Sequence, residues 1–298
     1  MIQTDIEFPS GDGICGAWLY APQQHGNALR PIIVLAHGLG GVREMGLDAF
    51  AKRFSEAGYQ CLVFDYRHFG ASSGEPRQLL DIKRQLQDWA SAVAFARTLE
   101  GVDPDRVVLW GTSFGGGHVL RTAAQDRRIA AVISQCPFTD GLASTLAIPL
   151  RTSVKVLARA VRDRIRSQQG RTPLMVPTYG PPGSTALMTS PDSVAGLEAL
   201  IPPGFDLRSD VAARFALDII RYFPGRDARN ITCPIHFAVC QDDSVAPTKA
   251  TLRHVSKAPR GEIKLQPGGH FDIYVGEDFE HNIFQQLAFL NHHVPVTG

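Results

Sequence analysis

One serine, one histidine and a pair of neighbouring aspartates occupy places where chemistry can be done. Ser113 lies in Gly111-Thr112-Ser113-Phe114-Gly115, after the β-type run Val107–Trp110 and before the helix-compatible segment Gly116–Ala124. A strand that turns directly into a helix pushes the junction residue out of a tight, strained bend. That bend needs residues without bulk two before and two after it, and glycine stands at both places. His270 follows Gly268-Gly269, a loop able to bring an imidazole to a neighbouring group, and Asp242 and Asp243 come just after the run Phe237-Ala238-Val239. A serine hydroxyl is a poor nucleophile at neutral pH and needs an adjacent base. That base needs an acid to fix its tautomer and stabilise its imidazolium. Ser113, an aspartate and His270 stand in the chain order expected for such a site at the edge of a parallel sheet.

A nucleophile of this kind also needs donors for the oxyanion it generates. His37-Gly38-Leu39-Gly40-Gly41 is a glycine-rich turn after an apolar run, and the N–H groups of Leu39 and Phe114 are the candidate pair. Phosphate cradling is the competing use of such a turn, but no Gly-Lys-Ser/Thr follows it, which argues against a nucleotide. His37 is expected to hold the turn by hydrogen bonds, and the loop Asp65–Gly74 to be locked by its Asp, Arg and Gly residues. His118 is expected to pack in the helix after Ser113, while His236 and His254 belong to no constellation.

The elements that must position these residues alternate between β and α. Thr4–Phe8 and Ile14–Tyr20 read as a hairpin around Ser10-Gly11-Asp12-Gly13, and Pro31–Ala36 as a strand buried on both faces. Helix Leu47–Ala57, strand Cys61–Phe64, helix Leu79–Leu99, strand Val107–Trp110 and strand Ala131–Cys136 follow. The rhythm then breaks until Pro234–Val239, so residues 138–233 read as an insertion. Within it, Arg151–Gln169 is an amphipathic helix whose basic stripe reads as a solvated face, with anion binding as the alternative. Arg171–Ser190 suits an irregular loop over a binding site, and Ser209–Tyr222 a second helix. In this loop Leu174, Met175, Val176, Tyr179 and Leu187 either line a pocket or form the insertion's own core. Strand Ile263–Leu265 and helix Asp278–Leu290 complete a largely parallel sheet covered on both faces, with ligands expected beyond the carboxyl ends of the strands.

Composition narrows the field. The 298 residues are 44% hydrophobic, enough for a large core, and 30 basic against 29 acidic residues leave a net charge of +1 without long runs of either sign. Neither nucleic acid nor an anionic membrane is implied as a partner. Met1–Asp5 lacks the charged and apolar parts of a signal peptide, and no apolar run reaches bilayer length, so a cytoplasmic location is expected. Cys15, Cys61, Cys136, Cys233 and Cys240 form no CxxC pair and read as buried free thiols, with neither disulfide nor zinc.

Taken together, the His-Gly turn, the Asp65-Tyr66-Arg67 loop, the Gly-Thr-Ser-Phe-Gly elbow, the late aspartate and Gly268-Gly269-His270 resemble the α/β-hydrolases over nearly the whole chain. Gly70–Arg77, Val102–Val107 and Gly268–Tyr274 are similar to a branch of acyl hydrolases that includes fungal polyketide acyl transferases. The resemblance implies an α/β-hydrolase core over residues 1–137 and 234–298, with a mainly helical cap over 138–233. It also bears on the acid. Counting back from Pro247 selects Asp243, with Cys240 in a place the family gives to a small residue, whereas a register set by Val245 selects Asp242. The expected activity is two-step acyl transfer to water from an ester or thioester, by Ser113, His270 and Asp243, with no metal or organic cofactor. Acyl transfer to an alcohol or amine, C–C bond hydrolysis and a non-catalytic binding role are the alternatives. The implied partner is a small acyl substrate, and a homo-oligomer is compatible with the sequence.

Overall fold

The computed structural model describes residues 1–22 and 28–296. Its centre is an eight-stranded sheet. An N-terminal hairpin, β1 (Ile2–Ser10) and β2 (Gly13–Ala21), supplies the antiparallel edge. The strands β3 (Arg30–Ala36), β4 (Gln60–Phe64), β5 (Val102–Thr112), β6 (Ile129–Gln135), β9 (Ile235–Cys240) and β10 (Gly261–Gln266) run parallel to one another in the order β1-β2-β4-β3-β5-β6-β9-β10. The order reverses around β3, so the carboxyl ends of β3 and β5 lie side by side: Ala36 pairs with Gly111.

Both faces of the sheet are covered, which is why β3 reads as an unbroken apolar run. Ile32, Val34 and Ala36 point into one core with Leu109, Phe114 and Trp89. Ile33 and Leu35 point into the other with Trp110, Phe50 and Phe289. The first core is roofed by α2 (Ile82–Ala96) and α3 (Phe114–Gln125), the second by α1 (Leu47–Glu56) and α9 (Gly276–His293). The helix expected over Leu79–Leu99 begins later, because the Asp81 carboxylate accepts the N–H of Lys83 and Arg84 as an N-cap. Helix α8 (Thr248–Val255) links β9 to β10.

Between β6 and β9 the chain leaves the sheet. It forms α4 (Gly141–Leu146), α5 (Leu150–Gln168), β7 (Met175–Pro177), α6 (Ser193–Glu198), β8 (Asp210–Ala212), α7 (Phe215–Ile219) and a 3-10 turn at Pro224–Asn230. Two expectations change here. Ser209–Tyr222 is not one helix: Val211 pairs with Val176 in a two-stranded antiparallel sheet, and only Phe215–Ile219 is α-helical. The loop 171–190 correspondingly contains β7. Backbone pairing between 175–177 and 210–212 overrides the local helical spacing, since each N–H and C=O buried there needs a partner. Asp163, the sole acid of α5, is buried and bonded to the Arg214 guanidinium at 2.7 Å, which ties the two halves of this segment together. All five cysteines are buried and free. Among the described residues no helix is long and apolar enough to cross a membrane.

Candidate active site

Ser113 stands at the junction of β5 and α3 with φ 54° and ψ −117°, a conformation that an L-residue adopts only when its surroundings enforce it. The enforcement comes from backbone contact on both sides. A Cβ on Gly111 would lie 2.3 Å from Gly115 O, and one on Gly115 would lie 2.5 Å from His37 O. Strand and helix can therefore approach only as glycine backbones. Gly115→Ala is expected to destabilise the fold by about 1–3 kcal/mol, because the backbone carbonyls of Ala36 and His37 at the end of β3 cannot swing away as a flexible side chain would; urea denaturation against the parent protein measures it.

His270 lies in the loop between β10 and the 3-10 turn Asp272–Tyr274, and its ring is 2% exposed. Its Nε2 lies 3.0 Å from Ser113 Oγ and its Nδ1 lies 2.8 Å from Asp243 Oδ2. The loop is shaped by Gly268 at φ 80° and by the Asp272 carboxylate, which accepts Gly269 N–H at 2.7 Å. Asp243 is held in turn: its Oδ1 accepts the N–H of Val245 at 2.9 Å and of Ala246 at 2.6 Å. That leaves Oδ2 for the imidazole. Asp242 is exposed, and its backbone N–H donates to Gly268 O at 3.0 Å. Of the two sequence registers, the one fixed by Pro247 is the one whose carboxylate reaches His270. Burial opposes an imidazolium at His270, yet the Asp243 carboxylate outweighs it and holds the ring well above the ordinary histidine value.

The glycine turn after β3 presses on the serine from above. A Cβ on Gly38 would fall 2.8 Å from Ser113 Cβ and 3.2 Å from its Oγ. Leu39 lines the same cavity as Ser113 and Phe114. Phe114 opens α3, so its N–H has no acceptor within the helix and carries the positive end of the helix dipole. His37 Nδ1 lies 3.0 Å from Gly38 O, its ring packs edge-on against Tyr66, and burial lowers its pKa to about 4. It is a neutral brace for the turn. The Asp65 loop is locked as its composition suggests: Asp65 accepts the N–H of Arg43 and Ala71, while Arg67 pairs with Asp88 at 2.5 Å and Asp12 at 2.6 Å. His118 is enclosed in α3, with its two ring nitrogens taken by Tyr222 OH at 2.7 Å and Gln85 Oε1 at 2.9 Å.

Ser113 opens on a cavity of about 490 Å³. Its walls are largely aliphatic and hydroxylic, from Ile148, Val156, Leu157, Leu187 and Ile219 to Ser144 and Thr145, with Phe114 and Phe138 beside the serine, and among the described residues no ionisable side chain lines it. Of the five loop residues considered from sequence, only Leu187 lines this cavity. Val176 is buried in β7; the loop itself does wall the cavity, through Pro182 and residues 186–190, opposite α4, α5 and α7. Two groups of polar residues near the site were missed from sequence. Tyr274 OH bonds Thr112 Oγ1 and lies 3.4 Å from Cys136 Sγ, bracing the residue before the serine. Ser244, next to the acid, donates to Asp192 at 2.8 Å and so fastens the acid loop to the inserted segment. Both are contacts between segments remote in sequence, and only the position of Ser244 beside Asp243 offered a clue.

The comparisons agree with this fold. The family described as alpha/beta hydrolase fold matches residues 31–277. The chain is 56% identical to the quorum-quenching protein AidA of Acinetobacter baumannii (strain MDR-ZJ06) over 292 residues, 98% of this chain and 95% of that protein. It is 29% identical to the polyketide transferase grgF of Penicillium sp, covering 98% of this chain and 97% of the relative. The crystal structure of the alpha/beta hydrolase GrgF from Penicillium sp. sh18 superposes with a TM-score of 0.82 at 25% identity, over 98% of this chain and 99% of the other. A serine on a strand-to-helix elbow, a histidine and an aspartate in hydrogen-bonded series, and a match across the sheet and its insertion lead to one assignment: the chain belongs to the alpha/beta hydrolase fold family.

Proposed function

We propose that the protein hydrolyses a carboxylic ester or thioester through an acyl-enzyme formed on Ser113. The observation that carries this reading is the series Ser113 Oγ, His270 Nε2, His270 Nδ1 and Asp243 Oδ2, with gaps of 3.0 and 2.8 Å. His270 takes the serine proton as Oγ attacks the substrate carbonyl carbon, and the N–H groups of Leu39 and Phe114 receive the oxyanion. The imidazolium, stabilised by Asp243, returns its proton to the departing alcohol or thiol. Water, deprotonated by the same histidine, then releases the acid. Residues 138–233 act as the cap, and the aliphatic cavity holds the acyl part of the substrate.

The base works only when neutral. Asp243 raises the His270 pKa, so kcat/KM is expected to rise with pH through an inflection above the ordinary histidine value of 6.5. A pH–rate profile in which activity is already at its plateau below that value contradicts the assignment.

Acyl transfer to an alcohol or amine is the second reading, favoured by the full-length similarity to a polyketide transferase. The two reactions share the acyl-enzyme and differ in what attacks it. Incubation with nitrophenyl esters and acyl thioesters of graded chain length, with and without added alcohols and amines, separates them by product. Free acid in every case supports hydrolysis; diversion of the acyl group to the acceptor supports transfer; turnover equal to that of Ser113→Ala refutes both.

A further inference from the structure

Helix α5 carries a surface that the acyl chemistry does not use. At about 100° per residue its side chains fall into three sectors. Thr152, Val156, Ala160 and Asp163 form the buried one. On the opposite side Leu150, Val154, Val161 and Ile165 form an exposed aliphatic stripe, Leu150 being 79% and Val154 58% exposed. Between the stripe and the buried sector, on one flank, lie Arg151, Lys155, Arg159, Arg162 and Arg166, while Arg164 on the other flank is paired with Asp218. Arg151, Lys155 and Arg162 are exposed and have no ion-pair partner among the described residues, and the helix's single acid is buried against Arg214. The balanced charge of the whole chain hides this local separation.

The aliphatic stripe is continuous with the cavity over Ser113. Leu146, 75% exposed, precedes the cavity-lining Ala147, Ile148 and Pro149, and Leu157 of α5 lines the cavity beside the stripe. Aliphatic side chains next to unpaired cations on one exposed helix are the arrangement that lies in a headgroup layer, with the cations on lipid phosphates and the aliphatics at the acyl boundary. A second copy of the helix offers no acid to meet those cations. We propose that α5 docks the protein on a lipid bilayer surface containing anionic headgroups, with the cavity mouth beside the acyl boundary.

Co-sedimentation of the full-length protein with phosphatidylcholine vesicles, with and without phosphatidylglycerol, tests this independently of the acyl chemistry. Binding is expected only to the anionic vesicles, and to weaken with salt. It should fall by at least about 100-fold in R151E/K155E/R162E, since loss of three cations at about 1 kcal/mol each already gives that factor and the introduced carboxylates are repelled by the same surface. L150S/V154S/V161S should also bind less, while Ser113→Ala binds as the parent does. Circular dichroism establishes that the variants are folded, as substitutions of exposed residues should leave them. The proposal is overturned if the parent stays in the supernatant with both vesicles, if it binds both equally, or if the charge-reversed variant binds like the parent. Capture by polyglutamate but not by vesicles overturns it in favour of an acidic protein. A dimer that L150S/V154S/V161S dissociates, without vesicle binding, overturns it in favour of a second copy.

Discussion

Ser113→Ala is expected to lower kcat for ester hydrolysis by about 10⁶-fold, the scale on which removal of an activated serine is felt when the rest of the machinery cannot substitute for it. Nothing else in the cavity can replace the serine by a short movement. The other hydroxyls, such as Ser144, Thr145 and Ser244, lie on its wall or are bonded elsewhere, and His270 has its two nitrogens committed to Ser113 and Asp243. Substrate binding should survive, because the walls that hold the acyl part are aliphatic and intact. The variant should therefore bind an unhydrolysed ester with the affinity of the parent, which isothermal titration measures directly.

The second large effect separates the two aspartates. Asp243→Asn is expected to cost about 10⁴-fold in kcat, because an amide N–H₂ facing Nδ1 favours the wrong imidazole tautomer and leaves the imidazolium without a counter-charge. Asp242→Asn should leave kcat close to the parent value, since that carboxylate is exposed and does not reach the ring. The pair is a test of register as well as of chemistry: a large loss at 242 with little at 243 would mean that the loop after β9 turns one residue earlier. Asp243→Asn should also move the acid limb of the pH profile downward, toward the value that burial alone would set for His270.

Much of this site was legible in the sequence because its chemistry sits on short motifs at strand ends. The elbow announces itself through Gly111 and Gly115, since any Cβ there meets backbone, and Gly268-Gly269 marks the loop that delivers His270. The buried strands were legible from their apolar runs. The inserted segment was not legible in the same way. Asp210–Ala212 carries helical spacing, yet it becomes a strand because Met175–Pro177, some 35 residues earlier, supplies its hydrogen-bond partners. The loop part of the cavity wall, Pro182 and residues 186–190, lies where the proline-rich run suggested, but the helical part was hidden: Ser144, Ile148 and Leu157 come together through the packing of α4 and α5, and no local pattern distinguishes a helix face that lines a cavity from one that fills a core. Choosing between Asp242 and Asp243 needed the turn geometry, because both residues occupy the same tip and differ only in which one uses Oδ1 to accept the N–H of Val245 and Ala246.

The central claim is that Ser113 is a nucleophile activated by His270. The most direct measurement is covalent labelling of the full-length protein with a fluorophosphonate, followed by mass spectrometry of its peptides. The account predicts one phosphonyl adduct, on Ser113, absent from Ser113→Ala and formed far more slowly in His270→Ala. An intact, folded protein that takes no label, or one labelled to the same extent in Ser113→Ala, would contradict it.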